Sequence, residues 1–128
     1  MLSASLSPST PGEPSIFGLE AGSLPWVLRH GHVRLASNGA LRVNVAGLIV
    51  PSKGSNPIPD LAATVFCNGS PAATTAPVAF SPRGNAHLRT TVELPSFCPA
   101  PTVLLHPATG STPSDVVPNV YIAFDGQA

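Results

Sequence analysis

The sequence predicts an all-β domain, an antiparallel β-sandwich of about seven strands in an Ig-like or Greek-key arrangement, with a small closed β-barrel as the alternative. Sixteen of the 128 residues are proline, which leaves little uninterrupted chain for helices. From Trp26 onward, short runs rich in Val, Leu and Thr are each closed by Pro, Gly or Asn, as in strands separated by turns. The length suits a single hydrophobic core.

The predicted strands alternate apolar and polar residues, so each sheet buries one face and wets the other. A single sheet with one apolar face and one solvent-exposed face cannot enclose a core, whereas two such sheets packed face to face can. The strand runs cover residues 26–36, 40–50, 61–67, 73–80, 86–94, 102–106 and 119–124.

The first hairpin has a predicted register, because residues opposite each other in an antiparallel pair share a face of the sheet. A two-residue Asn38-Gly39 turn would set Leu35 against Arg42. A three-residue turn over 37–39, with Gly39 in the left-handed position, sets apolar residues against apolar ones. The predicted pairs are Leu35 with Leu41, Val33 with Val43 and Gly31 with Val45, which leaves His30, His32, Arg34, Arg42, Asn44 and Ala46 on the outer face.

A second hairpin is predicted across the loop at 81–85. It pairs Phe80 with Ala86, Val78 with Leu88 and Thr74 with Val92, and leaves His87, Arg89, Thr91 and Glu93 outside. Pro77 has no amide hydrogen for a ladder, so its run is expected at a sheet edge.

Residues 1–25 are predicted to be a flexible Ser/Pro/Gly-rich segment ahead of a single domain at 26–128, because this composition buries little apolar surface. Ile16, Phe17 and Leu19 interrupt it and are expected to be solvated rather than docked. The segment lacks the basic start and apolar block of a secretory signal, so no leader is visible in this chain. No apolar run reaches the roughly 18 residues of a membrane-spanning helix, and we expect a soluble protein.

The two cysteines, Cys67 and Cys98, fit neither a zinc ribbon nor a CxxC redox motif. They predict one disulfide, which for a loop of about 32 residues stabilises the fold by on the order of 3.5 kcal/mol. Because disulfides persist in oxidising compartments, we expect a secreted or cell-surface protein. The alternative is two free buried thiols in a cytosolic protein.

The charge balance and the missing motifs indicate no enzyme, no cofactor, no nucleic-acid partner and no membrane insertion. Six basic side chains balance six acidic ones, and 9% of residues are charged, so no large field steers polyanions to the protein. Neither a GxSxG elbow nor a phosphate-binding glycine loop is present. Glu93 is the one carboxylate on a predicted strand, and carboxylate catalysis needs a converging pair.

The outer face of the first hairpin is the predicted interaction surface. Arg34 and Arg42 oppose each other there and repel unless an anion or a carboxylate lies between them. With His30, His32 and Asn44 they form the most basic patch of the sequence. A plain solvated sheet face is the alternative interpretation.

Two other functions are kept as alternatives. His30 and His32 point the same way along a strand and place two imidazoles together, so a metal-binding protein or metalloenzyme is one, with His87 and His106 completing the site if the sheets bring them near. A carbohydrate-binding module is the other, although five Phe, one Tyr and one Trp must serve both core and surface. Trp26 and Tyr121 are expected in the core.

The triplet Asn68-Gly69-Ser70 fits the N-glycosylation acceptor pattern and falls in a predicted turn. Asn-Gly is also a favoured hairpin turn without any sugar attached.

Four segments lie within roughly residues 30–124: Leu41-Arg42-Val43-Asn44-Val45, Val65-Phe66-Cys67-Asn68-Gly69, Leu94-Pro95 with Cys98-Pro99-Ala100-Pro101, and Val120-Tyr121-Ile122-Ala123. Together they resemble uncharacterised small exported all-β proteins of high-GC Gram-positive bacteria. The resemblance implies bacterial export and carries over no catalytic or ligand-binding residue. We therefore expect a non-enzymatic, extracytoplasmic interaction or structural module with a protein or cell-envelope partner.

Overall fold

The computed structural model describes residues 2–9, 16, 18–21, 25–110, 112–117 and 120–124. Within these ranges the chain forms strands, turns and one short 3₁₀ turn, Pro113–Asp115. No helix in the described ranges has the length and apolar character needed to cross a bilayer. The strands are β1 (Leu2–Ser5), β2 (Ser7–Pro8), β3 (Glu20–Ala21), β4 (His30–Leu35), β5 (Ala40–Ala46), β6 (Asp60–Cys67), β7 (Ser70–Thr74), β8 (Val78–Ala79), β9 (Ala86–Thr91), β10 (Thr102–Ala108), β11 (Val120–Tyr121) and β12 (Ala123–Phe124).

The strands form two main antiparallel sheets. The front sheet has the order β1-β4-β5-β9, and the back sheet has the order β2-β12-β10-β6-β7, with β8 also paired to β6. A small parallel pair, β11 with β3, completes the described strands. The two main sheets share no strand in the described ranges, so the fold is the predicted β-sandwich and not a closed barrel.

The core lies between the two sheets. Val33 and Val43 of the front sheet belong to the same buried cluster as Leu61, Val65 and Leu105 of the back sheet. In β6 every residue from Leu61 to Cys67 is buried, because the outer side of the back sheet is covered as well. There Phe66, Leu104 and Tyr121 form a second, smaller cluster.

The predicted register of the first hairpin is confirmed. Leu35 pairs with Leu41, Val33 with Val43 and Gly31 with Val45. Gly39 has a φ of 91°, and a Cβ at this position would overlap the carbonyl oxygen of Val92. The turn therefore requires glycine, as the three-residue loop predicted.

The predicted second hairpin is wrong in its pairing. The strand β8 pairs with β6 in the back sheet, whereas β9 pairs with β5 in the front sheet. Leu88 therefore faces Val43, not Val78, and the loop at 81–85 crosses between the sheets. Alternation of apolar residues fixes which face of a strand is buried and leaves the neighbouring strand undetermined. His87, Arg89, Thr91 and Glu93 are exposed as predicted, and Pro77 lies between β7 and β8 at the edge of the back sheet.

The expectation of a flexible segment over 1–25 is wrong for its first residues. The strand β1 pairs with β4, and β2 pairs with β12. The physical reason is a short alternation within the Ser-rich stretch: Leu6 is buried in the main core, and Leu2 and Ala4 pack against it.

The apolar residues later in this segment also dock. Ile16 and Leu19 pack against the second cluster, on the outer side of the back sheet, whereas they were expected in solvent. Their partners, Phe66 and Tyr121, are large apolar groups that this contact removes from water. Phe17 lies outside the described residues.

The predicted disulfide is present between Cys67 and Cys98, with a Cα–Cα distance of 4.8 Å. It joins the end of β6 to the loop that leads into β10, the strand that neighbours β6 in the back sheet. Asn68 and Gly69, with φ angles of 50° and 83°, form the tight turn between β6 and β7, as their sequence predicted.

Candidate binding face and end cleft

The outer face of the front sheet arranges its side chains in rows that run across the strands. One row contains Ser3, Arg34, Arg42 and Arg89, and the next contains Ser5, His32, Asn44 and His87. Alternate residues of each strand point outward, and the ladder register decides which of them become neighbours. We call this surface the polar face.

Three arginines, Arg34, Arg42 and Arg89, occupy adjacent strands in a single row. We call them the arginine row. All of them are exposed, and neighbouring strands lie about 4.8 Å apart. The strands β1, β4, β5 and β9 contain no Asp or Glu, so no carboxylate of these strands neutralises the row.

The row next to the arginine row is polar, and in it Asn44 lies between the imidazoles of His32 and His87. His32 Nε2 lies 3.1 Å from the Ser3 hydroxyl oxygen, which ties β4 to the edge strand. His87 lies directly opposite Asn44 on the other side. This row supplies hydrogen-bonding groups next to the charged one.

All predicted binding residues lie together on the polar face: His30, His32, Arg34, Arg42 and Asn44. Arg89 and His87 also lie on the polar face, and they were not predicted there because β9 was expected to pair with a different strand. One sequence signal indicates that β9 belongs to the same sheet as β4: the two strands share the pattern His-x-Arg. Both strands are antiparallel to β5 and therefore parallel to each other, so histidine aligns with histidine and arginine with arginine.

His106 does not join the other histidines. It lies in β10 of the back sheet with 1% of its surface exposed. Its Nδ1 donates to the carbonyl oxygen of Val120 at 2.8 Å, so Nε2 of the neutral ring accepts from the Thr64 hydroxyl at 2.6 Å. Burial lowers the pKa of His106, partly offset by the hydrogen bond to Val120. The idea that His106 completes a metal site with His30 and His32 is therefore wrong.

The described residues contain no cluster of three or more His, Cys, Asp or Glu side chains suited to hold a metal ion. A metal site on His30 and His32 stays a prediction from the sequence. Phe97, with 77% of its surface exposed, is the one largely exposed aromatic side chain among the described residues.

A cleft of about 650 Å³ opens where the end of the front sheet meets the edge of the back sheet. We call it the end cleft. Its apolar lining comes from Val45, Ala46, Pro59, Ala79, Phe80 and Ala86. Its polar lining comes from Arg29, His30, Asn44, Ser81, Asn85 and His87.

A buried asparagine fixes the wall of the end cleft. Asn56 is 7% exposed, and its Nδ2 donates to the carbonyl oxygens of Ile58 at 2.7 Å and Ser81 at 3.0 Å. Its Oδ1 accepts from the Ile58 amide at 2.8 Å. On the core side, Trp26 stacks on Phe80 with ring centroids 6.4 Å apart. The wall formed by Phe80 and Ser81 is therefore held from both sides.

Asn56 precedes Pro57, and this pair is typical of turns and indicates only a local role. Its partners Phe80 and Ser81 are 24 and 25 residues further along the chain, and no local pattern predicts such a contact.

Fold and surface together define a disulfide-linked β-sandwich that exposes a row of arginines on one sheet. Comparisons with protein family models, with curated proteins and with solved structures found no match.

Proposed function

We propose that the protein is a non-enzymatic, extracytoplasmic binding module that binds an extended anionic partner through the polar face. The observation that carries this proposal is the arginine row, three guanidinium groups on adjacent strands without a carboxylate on the strands that bear them. Like charges directly opposite each other in a sheet are unfavourable. An anion bound across the row removes that repulsion and accepts hydrogen bonds from the guanidinium groups.

The shape of the polar face favours an extended partner. The row crosses three neighbouring strands, so with a strand spacing of about 4.8 Å the outer arginines are separated by roughly 10 Å. A single small anion contacts only part of such a row, whereas a polymer that carries repeated phosphate, sulfate or carboxylate groups contacts all of it.

The extracytoplasmic location is supported by the disulfide between Cys67 and Cys98, since such bonds persist in oxidising compartments. The non-enzymatic part rests on the sequence, which lacks the nucleophile and phosphate-binding motifs described above. An anionic glycan of the cell envelope is the partner class that meets both conditions.

The experiment is retention of the purified protein on immobilised dextran sulfate, eluted with a salt gradient. We expect retention at low ionic strength and earlier elution of Arg42→Gln, with binding about two- to fivefold weaker, the range for one exposed charge pair. Arg83→Gln is the matched control, because Arg83 is exposed in the loop between the sheets and outside the row.

No retention of the wild-type protein, or equal effects of the two substitutions, would contradict the proposal. A column of single-stranded DNA adds a second arm. Equally strong retention there would show that nucleic acid is not excluded, against the expectation from the overall charge balance.

A further inference from the structure

We propose that the end cleft is a second binding site, which takes a small organic anion with an apolar body, such as a carboxylate or sulfonate on a ring. This site goes beyond the function proposed above. It shares His30, Asn44 and His87 with the polar face, but none of the arginine row lines it. The two sites can therefore be tested separately.

The size of the end cleft fits a small ligand. Its volume of about 650 Å³ lies within the range of roughly 300–1,000 Å³ that is usual for small-molecule sites. Such sites have a mostly apolar lining with a few polar groups that fix the orientation of the ligand.

The apolar part of the lining determines the body of the ligand. Pro59 and Ala79 contribute exposed apolar groups, and Phe80, with 4% of its surface exposed, lies among the lining residues beside them. A ring or short hydrocarbon placed against these groups removes apolar surface of both partners from water. A fully hydrated ion such as phosphate gains nothing from them.

The polar part of the lining determines the charge of the ligand. Arg29 is exposed at the cleft, and its guanidinium is cationic at all physiological pH values. His30 and His87 add ring nitrogens. No Asp or Glu is among the lining residues, and Asp60 is the ladder partner of the lining residue Ala79. Guanidinium groups bind carboxylates and sulfonates through charge-assisted hydrogen bonds, so the polar end of the ligand is an anion.

The cleft is formed before the ligand arrives. Asn56 holds the backbone of Ile58 and Ser81 together, and the Asn85 side chain accepts from the Gly47 amide at 3.1 Å. These bonds connect the loop at 81–85 to the segment between β5 and β6. A site that is already ordered loses less conformational entropy when it binds.

The test is a fluorescence titration of the intact protein with 8-anilinonaphthalene-1-sulfonate, an aromatic ring system that carries one sulfonate. We expect saturable binding, and we expect the uncharged analogue N-phenyl-1-naphthylamine to bind at least about tenfold more weakly, since it cannot pair with Arg29. Arg29→Gln should weaken dye binding by about tenfold and leave binding of the uncharged analogue unchanged.

A second variant tests the location. Ala79→Gln places a larger side chain in the cleft. Glutamine is used instead of glutamate because Ala79 pairs with Asp60 in the ladder, and two carboxylates there would repel each other. We expect at least a tenfold loss of dye binding. The matched control is Ala36→Gln. Ala36 is exposed and follows the last residue of β4, whereas the cleft residue His30 is the first residue of that strand. This variant should bind dye within twofold of wild type.

Circular dichroism and thermal unfolding confirm that each variant is folded. Dye binding by Ala79→Gln equal to that of the wild type would overturn the proposal, and so would equal affinity for the charged and uncharged dyes. Arg42→Gln separates this site from the polar face, because it should elute earlier from dextran sulfate and keep dye binding.

Discussion

Arg42 of β5 lies directly opposite Arg89 of β9, and on its other side it lies directly opposite Arg34 of β4. The central arginine therefore has a like charge on each side within the sheet. Such an arrangement costs free energy in the isolated protein, and its cost is removed when a partner supplies negative charge.

Arg42→Thr should raise the stability of the protein when no polyanion is present. Threonine favours strands, and the substitution removes both like-charge contacts, so we expect the free energy of unfolding to increase by about 0.2–1 kcal/mol. Urea denaturation at low ionic strength measures it. Arg83→Thr, which changes the same charge in the loop at 81–85, should leave the unfolding free energy unchanged. A loss of stability in Arg42→Thr would show that the row is not repulsive.

The buried His106 should make stability depend on pH. Burial lowers the pKa of His106 in the folded protein, whereas in the unfolded chain it titrates near the ordinary value of about 6.5. Between these two values the unfolded state binds more protons, so the free energy of unfolding rises with pH. The full stability is present above about pH 6.5 and declines as the pH falls below it.

Urea denaturation at a series of pH values tests this dependence. His106→Gln should reduce the slope of stability against pH while lowering stability overall, since the bonds to Thr64 and Val120 are altered. A slope that is the same in His106→Gln and in the wild type would assign the pH dependence to another group.

Asn56→Ala should lower the free energy of unfolding more than the loss of an exposed polar side chain does. The change leaves the Ile58 amide and the Ser81 carbonyl, which are partly buried, and the Phe80 carbonyl, which is buried, without this partner, and such losses cost about 1–3 kcal/mol. The variant should also weaken dye binding in the end cleft. Asn38→Ala is the control: Asn38 accepts one exposed bond from the Ala40 amide, and its loss should change the unfolding free energy by less than about 0.5 kcal/mol.

Removal of the disulfide should lower stability substantially. The bond closes a loop with a sequence separation of 31 residues, and the double variant Cys67→Ala, Cys98→Ala should lose on the order of 3.5 kcal/mol. Denaturation with and without reductant gives the same comparison on the wild type. Mass spectrometry without reductant should show the loss of both thiol hydrogens, and a mass with both hydrogens retained would contradict the bond.

The sequence predicted the first hairpin down to its register because two independent constraints agreed. Gly39 fixed the length of the turn, and the alternation of Val33 and Leu35 with Val43 and Leu41 fixed the faces. The second predicted hairpin had only the alternation as its basis. Because alternation specifies a face and not a neighbour, β9 was assigned to the wrong strand, and with it Arg89 and His87 were missed at the binding face.

Other features depend on contacts that are distant in sequence. The burial of His106 follows from the strand β11 and the covering cluster on the back sheet, and the role of Asn56 follows from a loop more than twenty residues away. In residues 2–6 the alternation of apolar residues is short and lies within a Ser-rich stretch, so the prediction from composition was wrong.

The position of the first strands has a consequence for handling the protein. A single short segment supplies an edge strand to each sheet, since β1 pairs with β4 at the edge of the front sheet and β2 pairs with β12 at the edge of the back sheet. Proteolytic trimming of these residues would uncover two rows of backbone amides and carbonyls at once, and bare strand borders of this kind join to those of other molecules. Affinity tags and fluorescent labels are therefore best kept away from this segment, and self-association after trimming would mark its loss.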